Sequence, residues 1–118
     1  MHYLLLIEYL YANYKLPNDF VYVDDVADAF SKAVSANFPS GIYNLGSGRS
    51  TTVLDVCRIS EQILWGTESL TAQLESKTES SRCEVDFWAD IKHSKEILDW
   101  QPTISLKDGI QLTQQWIN

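Results

Sequence analysis

The run Phe20-Val21-Tyr22-Val23 constrains the fold more than any other stretch, because it ends abruptly on two acids and the residues beyond it change period. Four β-branched or aromatic residues in succession read as a short buried strand. Asp24 and Asp25 suit a helix start, as N-cap and first-turn acids. Val26, Ala29, Phe30, Ala33 and Val34 then recur at i, i+3, i+4, i+7 and i+8, the apolar stripe of an amphipathic helix that closes near Asn37 to Pro39.

The same grammar repeats downstream. Gly41 leads into Ile42-Tyr43-Asn44-Leu45, a second strand, and Gly46-Ser47-Gly48 makes a tight turn. Thr52 and Asp55 have capping-box spacing for a helix from about Val53 to Leu64, which Gly66 stops. Two strand-then-helix units predict an α/β arrangement with a right-handed crossover. Residues 67–81 are rich in Ser, Thr and Glu, with a third strand starting over Ala72 to Leu74. Asp90 caps a short helix through Leu98, and Pro102 ends that element. Ser105 and Asp108 open a final helix whose Leu106, Ile110, Thr113 and Ile117 face the core.

Composition removes several function classes. With 16 acidic against 9 basic side chains and a formal charge of −7, the chain offers no basic stripe for nucleic acid or an anionic membrane. Cys57 and Cys83 stand too far apart for a CxxC pair, and His2 and His93 add no zinc spacing, so no metal is expected. Two unpatterned thiols suit a reducing, cytoplasmic setting. Tyr3 to Tyr11 is apolar except for Glu8, well short of the roughly 20 residues that span a bilayer. It reads as a buried helix pressed against other protein. A chain of 118 residues makes one domain, with residues 1–17 a hydrophobic lead-in.

Three ordered segments carry a family resemblance. Asp19-Phe-Val-Tyr-Val-Asp-Asp-Val-Ala-Asp-Ala29, Gly41-Ile-Tyr-Asn-Leu-Gly-Ser-Gly48, and Trp88-Ala-Asp90 with Lys95, Leu98, Trp100 and Pro102 follow one another at matching spacing. Over residues 18–118 the chain resembles the C-terminal region of extended short-chain dehydrogenase/reductases, the NAD-dependent nucleotide-sugar epimerases and dehydratases of the UDP-galactose 4-epimerase kind. The resemblance implies a small partial Rossmann-type α/β domain on the substrate side of that fold, with few strands and about four to five helices. It implies a UDP-, CDP- or dTDP-sugar as ligand and NAD or NADP as cofactor of the complete enzyme.

By the same resemblance Arg82 corresponds to an arginine that grips the substrate diphosphate, and a planar cationic fork suits that group. Asn18 stands where many relatives place a second phosphate-binding arginine, a departure that removes one cationic contact. Trp88 flanks a ligand. Arg49 is read as a turn residue. The Gly-rich cofactor fingerprint and the catalytic Tyr-x-x-x-Lys belong to the region before these motifs. Tyr11-Ala-Asn-Tyr-Lys15 matches the latter literally, but it lies four residues before Asp19 and is read as a surface i,i+4 pair. Gly46-Ser47-Gly48 is read as a sharp strand-to-helix turn. No catalytic residue and no bound cofactor are therefore expected, and the chain is expected to be inactive alone. A rival reading from another class is a non-catalytic binding module that dimerises through Tyr3 to Leu10.

Overall fold

The computed structural model describes residues 16–35, 37–76 and 86–117. The lead-in up to residue 15, including Tyr11 and Lys15, lies outside them, as do Arg82 and Cys83. In chain order the elements are β1 (Pro17–Asn18), α1 (Val23–Ser35), β2 (Thr51–Thr52), α2 (Val53–Trp65), α3 (Ser69–Ser76), α4 (Lys92–Ile97) and α5 (Leu106–Ile117). β1 and β2 pair antiparallel, Pro17 opposite Thr52 and Asn18 opposite Thr51. This is a small α/β domain with five helices and a two-stranded sheet among the described residues.

The helices follow the sequence closely. Thr52 caps α2 by accepting the Asp55 N–H at 3.1 Å, and Asp55 returns the bond to the Thr52 N–H at 3.1 Å. Gly66 closes the helix at φ 67°, a left-handed conformation that side-chain-bearing residues resist. At α5, Ser105 Oγ accepts the Asp108 N–H at 3.1 Å, as its spacing predicts.

The strands do not follow. Residues 19–22 carry no ladder, α1 begins at Val23, and residues 42–45 have no pairing partner among the described residues. A β-run becomes a strand only when another strand pairs with it, so apolar sequence alone is insufficient. The expected strand at Ala72 to Leu74 is a helix, α3, because a carboxylate from α2 caps it. Glu61 accepts the Leu70 N–H at 2.8 Å and the Thr71 N–H at 2.9 Å, filling the first-turn donors of α3.

The core is small. Ala29, Ile91, Leu98 and Trp100 are buried, with Val21, Phe38, Tyr43, Leu45 and Ala89 packed against them. Ser94 is fully buried and donates Oγ–H to the Asn44 carbonyl at 2.6 Å, tying residues 43–45 to α4. The predicted stripe of α1 is only partly covered: Ala29 is buried, whereas Phe30 is 66% and Val34 86% exposed. α5 packs on α2, and its Gly109 lies against the Tyr22 ring, while Ile117 is exposed.

Asp25 corrects the capping expectation. It lies in the first turn of α1, but its carboxylate accepts both N–H groups of Thr103 and Ile104, at 3.1 and 3.0 Å, and the Thr103 hydroxyl at 2.9 Å. A buried acid with all these partners is a tertiary tie rather than a local cap.

Candidate functional site

The site assembles around Asp19, which follows β1 and is half-buried. One carboxylate oxygen accepts the Ser47 N–H at 2.7 Å and the Ser47 hydroxyl at 2.5 Å; the other accepts the Ala89 N–H at 2.9 Å. Three stretches far apart in sequence therefore meet at one side chain. Gly46 is required by that approach, since a Cβ there would collide with the Asp19 carboxylate and lie 2.8 Å from the Ala89 methyl. Gly48 completes the turn at φ 74°.

The turn separates two open cavities. The larger, about 750 Å³, is bounded by Phe20, Ser47 and Arg49 on one side and by Pro102 to Lys107 on the other. The smaller, about 450 Å³, lies between Gly48 and the start of α4 and is lined by Trp88, Asp90 and Lys95. Trp88 is 51% exposed and free to meet a ligand. Asn18 lines neither cavity; it sits in β1 opposite Thr51 and donates its side-chain N–H to the Leu16 carbonyl at 3.1 Å. Asn18 and Trp88 are brought to the same neighbourhood through their sequence neighbours Asp19 and Ala89. Arg82 lies outside the described residues.

Other sequence candidates resolve into structural roles. Asp90 accepts the Lys92 N–H at 3.0 Å, but the N-cap of α4 is Ile91, which makes no side-chain cap bond. The expected cap is therefore displaced by one residue. His93 stacks on Tyr43, centroids 4.9 Å apart, and Tyr43 in turn donates to the Pro39 carbonyl at 2.7 Å. No group of three or more metal-ligating side chains occurs among the described residues.

Two ionisable groups on α2 are perturbed. Burial raises the affinity of Glu61 for a proton, yet hydrogen bonds from Leu70, Thr71 and Ser69 outweigh it and hold the carboxyl below its ordinary value. Burial pushes the Cys57 thiol up, and the charge of Glu61 adds to the effect. Cys57 is thus a poor nucleophile.

The glycine turn does not fit a dinucleotide pyrophosphate. Its Ser47 N–H, the donor a pyrophosphate at this turn would need, is already taken by the Asp19 carboxylate. The roles of Asp19, Gly46 and Ser47 are absent from the sequence reading, though all three residues fall inside its motifs. Only the Gly-Ser-Gly turn signals them.

No family model matches the chain. Curated relatives do. UDP-glucuronate 4-epimerase of Thermodesulfobacterium geofontis is 30% identical over 103 residues, 83% of this chain and 29% of that protein. dTDP-L-rhamnose 4-epimerase of Burkholderia thailandensis is 33% identical over 112 residues, 92% of this chain and again 29% of the relative. This chain matches a C-terminal part of the nucleotide-sugar epimerase and dehydratase family. Mouse dTDP-D-glucose 4,6-dehydratase, 31% identical over 108 residues, extends the match to the dehydratases of that family.

Solved structures of family members agree on the fold. UDP-glucose 4-epimerase of Thermotoga maritima, solved with UDP-glucose, superposes with a TM-score of 0.64 at 27% identity, over 88% of this chain and 32% of the epimerase. A UDP-glucuronic acid 4-epimerase variant from Bacillus cereus, in complex with a fluorinated UDP-sugar and NAD, gives 0.63 at 23% identity. The chain spans less than a third of the length of these epimerases and dehydratases. No helix among the described residues is long and apolar enough to cross a membrane.

Proposed function

We propose that residues 18–118 form the substrate-side portion of a nucleotide-sugar epimerase or dehydratase and hold the nucleotide-sugar diphosphate. The observation that supports this most is the Asp19 clamp on Ser47 and Ala89, which fixes the three family segments against one another. In this reading Arg82 supplies the cationic fork for the diphosphate, Trp88 forms a wall of the sugar-nucleotide pocket, and Asn18 makes a neutral polar contact. NAD or NADP would act as hydride carrier in a complete enzyme; the chain's own glycine turn gives it no cradle, and turnover by the isolated chain is not expected.

The test is calorimetric titration of the chain with UDP-glucose and dTDP-glucose. Saturable heat in the millimolar range, weakened about tenfold or more by Arg82→Ala and reduced by Trp88→Ala, supports the reading. Absence of heat at millimolar sugar nucleotide overturns it.

The apolar side chains exposed on α1 favour a second reading, a non-catalytic module that associates through that face. Phe30 and Val34 lie on one stripe of the helix and remain largely in solvent. Sedimentation of a Phe30→Ser/Val34→Ser variant checks it, with an unchanged mass counting against association.

A further inference from the structure

We propose that the larger cavity, between the Gly46–Thr51 turn and the start of α5, binds a phosphate-ester anion with an apolar body. Its volume of about 750 Å³ falls in the range of small-molecule sites. In a chain of formal charge −7, the lining of this one cavity carries Arg49, Arg58 and Lys107. Arg58 is already engaged, with Asp55 at 3.1 Å, Glu75 at 3.6 Å and Glu68 at 4.0 Å. Arg49 and Lys107 have no ion-pair partner among the described residues. Asp55, the one carboxylate in the lining, is held by Arg58 and by the N–H and hydroxyl of Thr52, so it does not compete for them.

The hydroxyls in the wall point to the same ligand sign. Ser50 Oγ accepts the Phe87 N–H at 3.1 Å, and Ser105 Oγ accepts the Asp108 N–H at 3.1 Å. Each hydroxyl accepts one N–H and retains its proton, which it can donate to an anion. Phosphate oxygens would take charge-assisted bonds from the Arg49 fork and the Lys107 ammonium, with the serines completing the shell. Phe20, Ile59, Pro102 and Ile104 supply an apolar lining for the rest of the molecule. Neither Asn18 nor Trp88 lines this cavity, and Arg49 and Lys107, on which the test turns, have no part in the nucleotide-sugar reading.

Phenyl phosphate is the first probe, titrated into the full ¹⁵N-labelled chain while amide shifts are followed, with inorganic phosphate as the second. The expected result is saturable movement of the amides of residues 47–51 and 105–107, at lower concentration for phenyl phosphate than for inorganic phosphate. Arg49→Gln/Lys107→Gln weakens binding about tenfold or more, whereas Lys32→Gln, which removes one charge on α1 away from the cavity, leaves it unchanged. The spectrum beyond the cavity reports whether the double variant keeps its fold. As a second measurement on the unaltered chain, added sodium chloride weakens binding in proportion to its screening of these charges. The proposal is overturned by shifts centred on residues 88–96, by equal affinity in the double variant, by salt-independent binding, or by no movement at about 10 mM probe.

Discussion

The indole Nε1–H of Trp100 donates to the carbonyl of Asp25 at 2.8 Å, joining residues 75 positions apart at the centre of the core. The same Asp25 receives Thr103 and Ile104 on its carboxylate, so the first turn of α1 and the approach to α5 share one residue. Asp25→Ala strips three donors of their partner in a site only 4% exposed. The expected loss is about 2–4 kcal/mol, against little change for the exposed Asp24→Ala. Urea denaturation of both variants checks the contrast. Trp100→Phe, which leaves the Asp25 carbonyl unpaired and a small void, should fall between them.

Gly46 and Gly41 make a matched pair of tests. A methyl at Gly46 meets the Asp19 carboxylate and Ala89, so Gly46→Ala should destabilise by about 1–3 kcal/mol through forced displacement of the turn. Nothing lies within 4 Å of a Cβ at Gly41, and Gly41→Ala should be neutral or stabilise by up to about 1 kcal/mol, by restricting the unfolded chain. Thermal unfolding of the two variants in parallel reads the difference.

Glu61 gives stability a pH dependence of defined sign. Its folded pKa lies below the ordinary value of 4.5, so the folded state binds its proton less readily than the unfolded chain. The contribution is complete above pH 4.5 and is lost as pH falls through the lower folded value. The urea midpoint of Glu61→Gln should lie below that of the unaltered chain at neutral pH and converge with it in acid. A gap that stays constant with pH would contradict the role assigned to the carboxylate.

Cys57 should alkylate slowly. Burial and the Glu61 charge both raise its pKa from 9.0, leaving little thiolate near neutrality. In a Cys83→Ser background, the rate with iodoacetamide should rise severalfold in denaturing urea. A smaller rise should accompany Glu61→Gln in the folded state.

What the sequence discloses is what neighbours in the chain decide. The Thr52–Asp55 box and the Gly66 stop lie within one helix, and both take the expected form. Phe20 to Val23 and Ile42 to Leu45 have the composition of strands, but pairing depends on residues elsewhere, and none of the described residues supplies it. Ala72 to Leu74 is helical because Glu61 reaches it from the preceding helix. The site divides the same way. The Gly46-Ser47-Gly48 turn is legible from its glycines, whereas Asp19 acts on partners 28 and 70 positions away, a relation no spacing rule contains.

The position of Asp25's partners also sets an order of events. Its carboxylate bonds reach 78 and 79 residues forward, so α1 can form early with its acid in water until Thr103 and Ile104 arrive. Closure over such a span is slow compared with helix formation. During synthesis, the first helix of the described domain therefore waits on almost the last of its residues. A ribosome-bound chain stopped at Asp99 would present a helix without its anchor, and settling of the core would coincide with emergence of the segment that begins at Trp100.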